Sequence, residues 1–223
     1  MSWDKIWEKV FNKHEWGKYP AESLIRFVAR NLYAKDRKQV KILEVGCGPG
    51  ANIWYMAREG FNVYGIDGSE TAIKNANDKM KNEGFKGELV VGDIENLPYL
   101  DSYFDAVVDN ECLAHNPATK MPVILKEIKR VLKKGGLFYS RTFTDRTYRG
   151  RSYNKIRQYE FNNASDGPFG GRGFFRLMSE AGVRNIYGSH FEVISIDKLE
   201  YTNNNRLWKV SEWIIVCKKG TRA

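Results

Sequence analysis

The most informative part of the 223-residue sequence is Lys41-Ile42-Leu43-Glu44-Val45-Gly46-Cys47-Gly48-Pro49-Gly50-Ala51-Asn52. Its apolar first half, from Val40 to Val45, is typical of a buried β-strand, and a helix is expected from about Gly50. Three glycines in five residues allow the intervening turn to bend sharply and let a ligand approach the main-chain amides. A strand, a glycine-rich turn and a helix in this order indicate a site for a nucleotide-like cofactor.

Two cofactor classes are compatible with this turn on its own. The spacing Gly46-x-Gly48-x-x-Ala51 satisfies the dinucleotide fingerprint, and Asp67 lies about 20 residues further on, where an acid would bind a ribose. Three neighbouring features favour a nucleoside that carries an amino acid instead. Glu44 would repel a pyrophosphate but attract an ammonium group, Asp93 follows a third predicted strand at the same sheet edge, and the sequence has no Tyr-x-x-x-Lys pair for hydride transfer.

Four separate segments carry a family resemblance. They are Glu44-Val-Gly-Cys-Gly-Pro-Gly50, Gly65-Ile-Asp67-Gly-Ser69, Val91-Gly-Asp93 and Leu132-Lys-Lys-Gly-Gly-Leu137. In this order and spacing they resemble the class I S-adenosylmethionine-dependent methyltransferases, closely over residues 40–142. The resemblance implies an α/β, Rossmann-like fold: a mostly parallel sheet of seven strands with an antiparallel terminal hairpin and helices on both faces.

The resemblance also implies that S-adenosylmethionine is the cofactor. Asp67 would accept hydrogen bonds from both ribose hydroxyls, Asp93 would bind the adenine amino group, and Ile94 would lie against the ring. Tyr19 or Trp16 would border the methionine end. The predicted cofactor-binding residues are Tyr19, Glu44, Gly46, Cys47, Gly48, Asp67, Gly68, Asp93, Ile94 and Asn110. No metal is predicted.

Length and composition indicate a single domain, residues 1–223, without a membrane segment. The chain has no apolar run of 18 residues, and its amino terminus lacks the layout of a signal peptide, so we expect a cytoplasmic protein. The three cysteines, Cys47, Cys112 and Cys217, are spaced too far apart for a zinc site or a disulfide framework. We expect them to be reduced and non-catalytic.

The positive charge is concentrated near one predicted loop. The formal net charge is +9, and residues 141–157 alone hold six basic residues and one acidic residue. Most of this segment lies in residues 144–170, a long predicted loop that we expect to face the substrate. Guanidinium groups bind carboxylates or phosphates, and tyrosine rings stack on flat groups. The predicted substrate-binding residues are Arg141, Arg149, Arg151 and Tyr153. A solvated surface is the alternative for this arginine run.

Apolar periodicity divides the chain further. Two amphipathic helices within residues 1–39 are predicted to form a lid, and residues 40–142 form the cofactor-binding half. A helix from Thr119 is expected to end at the basic, glycine-containing turn Lys133-Lys134-Gly135-Gly136. Another helix is expected from Phe174 to Gly182. Two β-rich runs after residue 190, joined by Thr202-Asn203-Asn204-Asn205, predict the terminal hairpin.

The predicted chemistry centres on the segment from Asn110 to Asn116. A sulfonium methyl group is a strong electrophile, so the protein has mainly to align the acceptor with it and exclude water. A hydroxyl or protonated nitrogen acceptor also needs a base, and the candidates are His115 and Glu111. The alternative for His115 is a positioning group or a packed loop residue.

We therefore expect a methyltransferase that modifies an O or N atom of a small, anionic metabolite. One alternative is an RNA methyltransferase, because the basic segment would supply phosphate contacts. A second alternative is a non-catalytic regulator that binds S-adenosylmethionine, and a dinucleotide oxidoreductase is the least favoured. A small-molecule acceptor is the expected partner, nucleic acid is a weaker candidate, and no membrane partner is expected.

Overall fold

The computed structural model describes residues 3–220 and is built around one large β-sheet. The strands in this part of the chain are β1 (Lys41–Val45), β2 (Asn62–Asp67), β3 (Glu88–Val91), β4 (Phe104–Asn110), β5 (Leu132–Phe143), β6 (Asn154–Arg157), β7 (Glu160–Asn162), β8 (Phe175–Arg176), β9 (Glu192–Asn203) and β10 (Trp208–Lys218). Seven of them form the large sheet in the order β3-β2-β1-β4-β5-β10-β9. Strands β1 to β5 are parallel, whereas β10 is antiparallel to both β5 and β9. The predicted Rossmann-like sheet and its terminal hairpin are confirmed.

Helices pack on both faces of this sheet. Those between residues 3 and 220 are α1 (Ile6–Lys13), α2 (Glu22–Leu32), α3 (Ala51–Arg58), α4 (Glu70–Asn82), α5 (Met121–Val131) and α6 (Glu180–Gly188). Apolar residues of α2, α3 and α4 pack on one face, and those of α5 and α6 cover the other. Coverage on both faces explains why β1 and β4 are nearly continuous apolar runs. None of the helices in the described part of the chain is both long and apolar enough to span a membrane.

Helix α5 ends earlier than the sequence pattern predicted. It stops at Val131, and Lys133 to Gly136 lie within β5. Leu132 already pairs with Phe104 of β4, so the chain has joined the sheet before it reaches the glycines. Gly135 has φ +74°, and the strand register shifts in this region, as in a β-bulge. The prediction that these glycines stop the helix is wrong.

A second, three-stranded sheet occupies much of the segment predicted to be a long loop. Strands β6 and β7 lie within residues 144–170 and pair in the order β6-β7-β8. Phe169 and Phe175 stack with 4.0 Å between ring centroids in a small core that also contains Phe161. The segment is therefore folded around its own apolar residues, which a prediction based on its polar composition overlooked.

The helix predicted from Phe174 to Gly182 is also wrong. Its first part is the strand β8, and the four side chains of residues 175–178 are all buried. Successive burial of this kind reflects an extended segment covered on both sides. Ser179 then accepts a hydrogen bond from the Gly182 amide at 3.2 Å and caps the start of α6. A helix begins where one was expected to end.

The parallel strands bring polar residues to one edge of the large sheet. The glycine turn follows β1, Asp67 ends β2, Asp93 follows β3, and Asn110 ends β4. Helix α1 approaches the same edge, where Glu8 accepts hydrogen bonds from the side chains of Ser69 and Thr71. This edge of the sheet carries the candidate site.

Candidate active site

A cavity of about 340 Å³ lies at this edge, and side chains of α1 form part of its wall. Fourteen of the residues predicted from the sequence line it: Trp16, Tyr19, Glu44, Gly46, Cys47, Gly48, Asp67, Gly68, Asp93, Ile94, Asn110, Glu111, His115 and Arg141. Segments far apart in the sequence therefore converge on one site. Arg149, Arg151 and Tyr153 are not among the lining residues.

Glycine determines the shape of the turn after β1. Gly46, Gly48 and Gly50 have φ values of +64°, +50° and +78°, which side chains rarely allow. A Cβ atom on Gly46 would lie 2.2 Å from the Sγ atom of Cys112. The turn can therefore place main-chain atoms directly at the cavity.

Glu44 is a buried carboxyl group at the cavity wall. Its Oε1 accepts a hydrogen bond from Asn52 Nδ2 at 2.5 Å, whereas its Oε2 is buried without a hydrogen-bond partner among residues 3–220. Burial raises the pKa of Glu44 to about 8, and the nearby Asp109 and Asp67 carboxylates add to this increase. A cationic donor in the cavity would satisfy Oε2 and favour the ionised carboxylate.

Asp67 is held in place by main-chain amides. Its Oδ2 accepts a hydrogen bond from the Gly48 amide and its Oδ1 accepts one from the Ser69 amide, both at 2.9 Å. Ser69 in turn caps α4 through the Ala72 amide, which fixes the bend between strand and helix. Each carboxylate oxygen has a further lone pair, so Asp67 can still accept hydrogen bonds from hydroxyl groups. Burial raises its pKa.

Residues after β3 and β4 complete the predicted cofactor set. Asp93 Oδ1 accepts a hydrogen bond from the Glu95 amide at 3.0 Å, and the neighbouring Ile94 presents a nearly buried apolar side chain. Asn110 has a buried Oδ1 atom without a hydrogen-bond partner in the described part of the chain. Together they offer polar groups and an apolar surface to one ligand.

The ring of His115 is fixed from two sides. Its Nδ1 lies 2.7 Å from the Phe174 carbonyl oxygen, and Trp7 packs edge-on with 4.7 Å between ring centroids. A carbonyl oxygen can only accept, so Nδ1 carries the proton and Nε2 carries the lone pair. Burial, together with the nearby charge of Arg172, lowers the pKa of His115 to about 4. The neutral ring is thus a hydrogen-bond acceptor across the physiological pH range.

Arg141 lies between two carboxyl groups. Its Nη2 is 2.5 Å from Glu212 Oε2, and its Nη1 is 3.4 Å from Glu111 Oε1. Glu111 adopts a left-handed backbone with φ +71°, a conformation that is uncommon for this residue type. The Nε atom of Arg141 is buried and has no hydrogen-bond partner among residues 3–220. The two carboxyl groups therefore hold the guanidinium group of Arg141 in place at the cavity wall.

The other predicted substrate-binding residues lie elsewhere, on the small sheet. Arg149 lies over the Phe161 ring at 5.3 Å, and Tyr153 contacts the same ring edge-on at 5.2 Å. Arg151 has an 84% exposed side chain that pairs with Asp166 at 3.5 Å. The core of the small sheet draws these residues away from the cavity, so our placement of them at the site is corrected.

Two further features shape the cavity, and of their residues only Trp16 was predicted from the sequence to lie near a ligand. The rings of Trp7, Phe11 and Trp16 form an aromatic wall, with centroids 5.5 Å apart for Trp7 and Phe11 and 5.4 Å apart for Phe11 and Trp16. Arg172 lines the cavity and lies over the Trp16 ring at 5.5 Å. The helical spacing of Trp7 and Phe11 predicts α1 but not a ligand-facing role, and no motif marks Arg172.

Comparison with known families agrees with this geometry. Residues 43–140 match the family model described as a methyltransferase domain. Over these residues the chain is similar to known methyltransferase domains. The predicted resemblance to the class I methyltransferases is therefore confirmed, and the comparison identifies no subfamily.

Similar proteins extend this comparison. A sterol 24-C-methyltransferase of Neurospora crassa is 34% identical over 127 residues, which cover 53% of this chain and 33% of that enzyme. The chain thus spans about a third of the length of this curated relative. A solved S-adenosylmethionine-dependent methyltransferase of Methanosarcina mazei is 23% identical, covering 88% of this chain and 98% of that one, with a TM-score of 0.74.

A second solved structure has the same fold. It is the 1,6-didemethyltoxoflavin N1-methyltransferase of Burkholderia thailandensis, with its acceptor and S-adenosylhomocysteine bound. It is 18% identical and covers 89% of this chain and 79% of that one, with a TM-score of 0.65. At these identities, both structural matches show the fold alone.

Proposed function

We propose that this protein transfers a methyl group from S-adenosylmethionine to a small-molecule acceptor. The observation that carries the proposal is the buried, unpartnered Oε2 atom of Glu44 beside the glycine turn. An ammonium group is a suitable partner for such a carboxylate. Asp67 has lone pairs left for ribose hydroxyls, and Asp93 with Ile94 suits an adenine ring. A dinucleotide fits less well, because its pyrophosphate would approach Glu44.

The proposed reaction requires no covalent bond between the protein and either substrate. S-adenosylmethionine, when bound, supplies an electrophilic methyl group, and the chain must hold the acceptor in line with it and exclude water. The aromatic wall of Trp7, Phe11 and Trp16 covers the cavity with apolar surface. Its position over the sheet edge supports a water-excluding role for α1, the predicted lid.

Two residues suit an acceptor that carries a proton. The lone pair on His115 Nε2 would accept a hydrogen bond from an O–H or N–H group of the acceptor. This bond would orient the lone pair of the acceptor's O or N atom that attacks the methyl group. With a pKa of about 4, His115 is too weak a base to keep that proton near neutral pH. Glu111, whose carboxyl group lines the same cavity and pairs with Arg141, is the second candidate for taking up the proton. This pairing supports an O or N atom as the site of methylation.

Arg172 supports an anionic acceptor. It lies over Trp16 at the cavity wall, whereas Arg141 is already paired with Glu111 and Glu212. A guanidinium group above an aromatic ring can bind a carboxylate or phosphate while the ring contacts an adjoining flat group. The names of the Neurospora and Burkholderia proteins, a sterol and a toxoflavin methyltransferase, agree with a small-molecule acceptor.

Labelled cofactor tests this function directly. The protein would be incubated with methyl-tritiated S-adenosylmethionine and either an extract of metabolites below about 1 kDa or total RNA from the same cells. We expect label in the small-molecule fraction, its loss in Glu44→Gln, and its retention in Glu192→Gln, a control at an exposed position outside the cavity. Label in RNA alone would support the alternative acceptor. Cofactor binding without any transfer would support a regulator.

A further inference from the structure

The segment that carries His115 is held at its main chain by buried ionisable groups. A short 3₁₀ helix that ends at His115 follows β4 and precedes α5. The Leu113 amide donates a hydrogen bond to Asp109 Oδ1 at 3.0 Å, and the Ala118 amide donates one to Glu160 Oε1 at 2.6 Å. These two bonds fix the segment on either side of His115.

Arg176 contacts the same segment at two further points. Its Nη2 donates a hydrogen bond to the Leu113 carbonyl oxygen and its Nε donates one to the Asn116 carbonyl oxygen, both at 3.0 Å. Because a guanidinium group is planar, its donors have fixed relative directions, and one side chain can hold two carbonyl groups in a set geometry. Arg176 is buried and is not among the residues that line the cavity. Its effect on an acceptor therefore has to pass through other residues.

The small sheet sets the position of Arg176. Strand β8 ends at Arg176 and pairs with β7, where Glu160 lies opposite Arg176. The neighbouring Phe175 is buried in the core of the small sheet. Phe174, just before β8, supplies the carbonyl oxygen that accepts the hydrogen bond from His115 Nδ1. One short stretch of chain therefore holds both the ring of His115 and the main chain that carries it.

The burial of two charged residues in the small sheet has an energetic cost. Glu160 and Arg176 are 3% and 2% exposed, and buried charges are unfavourable unless hydrogen bonds satisfy them. Apolar residues of similar size at such positions often leave a protein equally stable or more stable. In the described part of the chain, the hydrogen bonds of both side chains end on the main chain of residues 113–118. The geometry of that segment is what the two buried charges secure.

We propose that Arg176 is a positioning residue of the active site: by holding the main chain on both sides of His115, it sets the direction of the Nε2 lone pair toward the acceptor. This inference rests on the proposed methyltransferase function and adds to it a residue outside the cavity. The small sheet then supports the ring that orients the acceptor. No covalent step is involved.

A double-mutant cycle tests whether Arg176 acts through His115. Arg176→Lys keeps the charge but cannot hold both carbonyl groups in the same geometry. Label transfer to the small-molecule fraction should fall by about tenfold in Arg176→Lys, because displacement of an orienting group slows an aligned reaction. In a His115→Phe background the same substitution should have no further effect, since the displaced ring no longer has a lone pair. Equal losses in both backgrounds would overturn the proposal.

Arg37→Lys is the matched control. Arg37 Nη1 donates a hydrogen bond to the Glu59 carbonyl oxygen at 3.0 Å, and neither residue lines the cavity. This variant should transfer label like the wild type. If Arg176→Lys does not fold, Arg176→Met is the second variant, because it keeps an unbranched apolar stem and removes the buried charge. It should give the same result in the cycle.

Nitrogen NMR of the histidine rings gives a measurement that does not depend on turnover. The sequence has three histidines, so the His115 signals can be assigned by their loss in His115→Phe. The wild-type protein and Arg37→Lys should carry the His115 proton on Nδ1, whereas Arg176→Lys should show both tautomers. The same single tautomer in Arg176→Lys would overturn the proposal. Absence of label transfer by the wild type would count against the proposed function instead, and the ring spectrum would still test Arg176.

Discussion

Asn52 donates a hydrogen bond to Oε1 of Glu44 at 2.5 Å and leaves the second oxygen of that buried carboxyl group without a partner among residues 3–220. The two residues lie on opposite sides of the glycine turn, so the turn itself brings them together. Burial without a cation keeps the proton on Glu44 up to a pH of about 8. The site is therefore built for a charge that the chain does not supply.

The first prediction concerns cofactor affinity and pH. Glu44 has to ionise to bind an ammonium group, and its pKa of about 8 means that the ionised fraction grows nearly tenfold per pH unit below pH 7.5. The affinity for S-adenosylhomocysteine, measured by tryptophan fluorescence between pH 6 and 7.5, should rise with a similar slope. Glu44→Gln should bind more weakly, with a slope smaller by about one proton, whereas Glu192→Gln should match the wild type. A wild-type affinity that is flat over this interval would rule out the assignment.

The second prediction concerns stability of the ligand-free protein. In the unfolded chain Glu44 has its ordinary pKa, so between that value and about 8 the folded protein binds more protons than the unfolded chain. The free energy of unfolding should therefore decrease as the pH rises through this interval. Urea denaturation at pH 8 should show Glu44→Gln to be more stable than the wild type by up to about 5 kcal/mol. At pH 5 the difference should largely disappear. Greater stability of the wild type at pH 8 would contradict the raised pKa.

The third prediction separates positioning from proton transfer at His115. His115→Phe keeps a ring against Trp7 but removes the Nε2 lone pair. Turnover should fall by about ten- to a hundredfold, because the acceptor loses an orienting hydrogen bond. The wild-type pH–rate profile should show no step between pH 6 and 7 that depends on His115, because its pKa is about 4. Such a step, if lost in His115→Phe, would make this residue the base. Unchanged turnover would make it a packing residue.

The fourth prediction compares two arginines. Arg172 lines the cavity, whereas Arg151 has an 84% exposed side chain on the small sheet. Arg172→Ala should raise the acceptor KM by about ten- to a hundredfold, the effect of losing a charged hydrogen bond. Arg151→Ala should leave the KM unchanged, and neither substitution should alter the affinity for S-adenosylhomocysteine. The reverse pattern would restore the loop arginines as substrate-binding residues.

The cofactor half of the site was accessible from the sequence because it follows a simple topological rule. Glu44, Asp67 and Asp93 each lie at or just beyond the end of a predicted parallel strand, and such ends meet at one edge of a sheet. The glycines between β1 and α3 add a backbone requirement that few other residues satisfy. Local sequence therefore determined both the elements and the polar residues at their ends.

The acceptor half was not accessible in this way. Arg151 and Arg172 both lie in polar, glycine-containing sequence. Only the packing of the folded chain decides that Arg172 faces the cavity and Arg151 faces solvent. The segment after Phe174 misled the helix prediction, because its side chains are buried on both sides of an extended chain. Tertiary packing, rather than local pattern, determined these outcomes.

Calorimetric titration of the purified protein with S-adenosylhomocysteine and, separately, with NAD tests the central claim most directly. The structure predicts heat of binding for one S-adenosylhomocysteine per chain, abolished or greatly weakened in Glu44→Gln, and no saturable heat for NAD. Saturable binding of NAD, or no binding of S-adenosylhomocysteine by the wild-type protein, would contradict it.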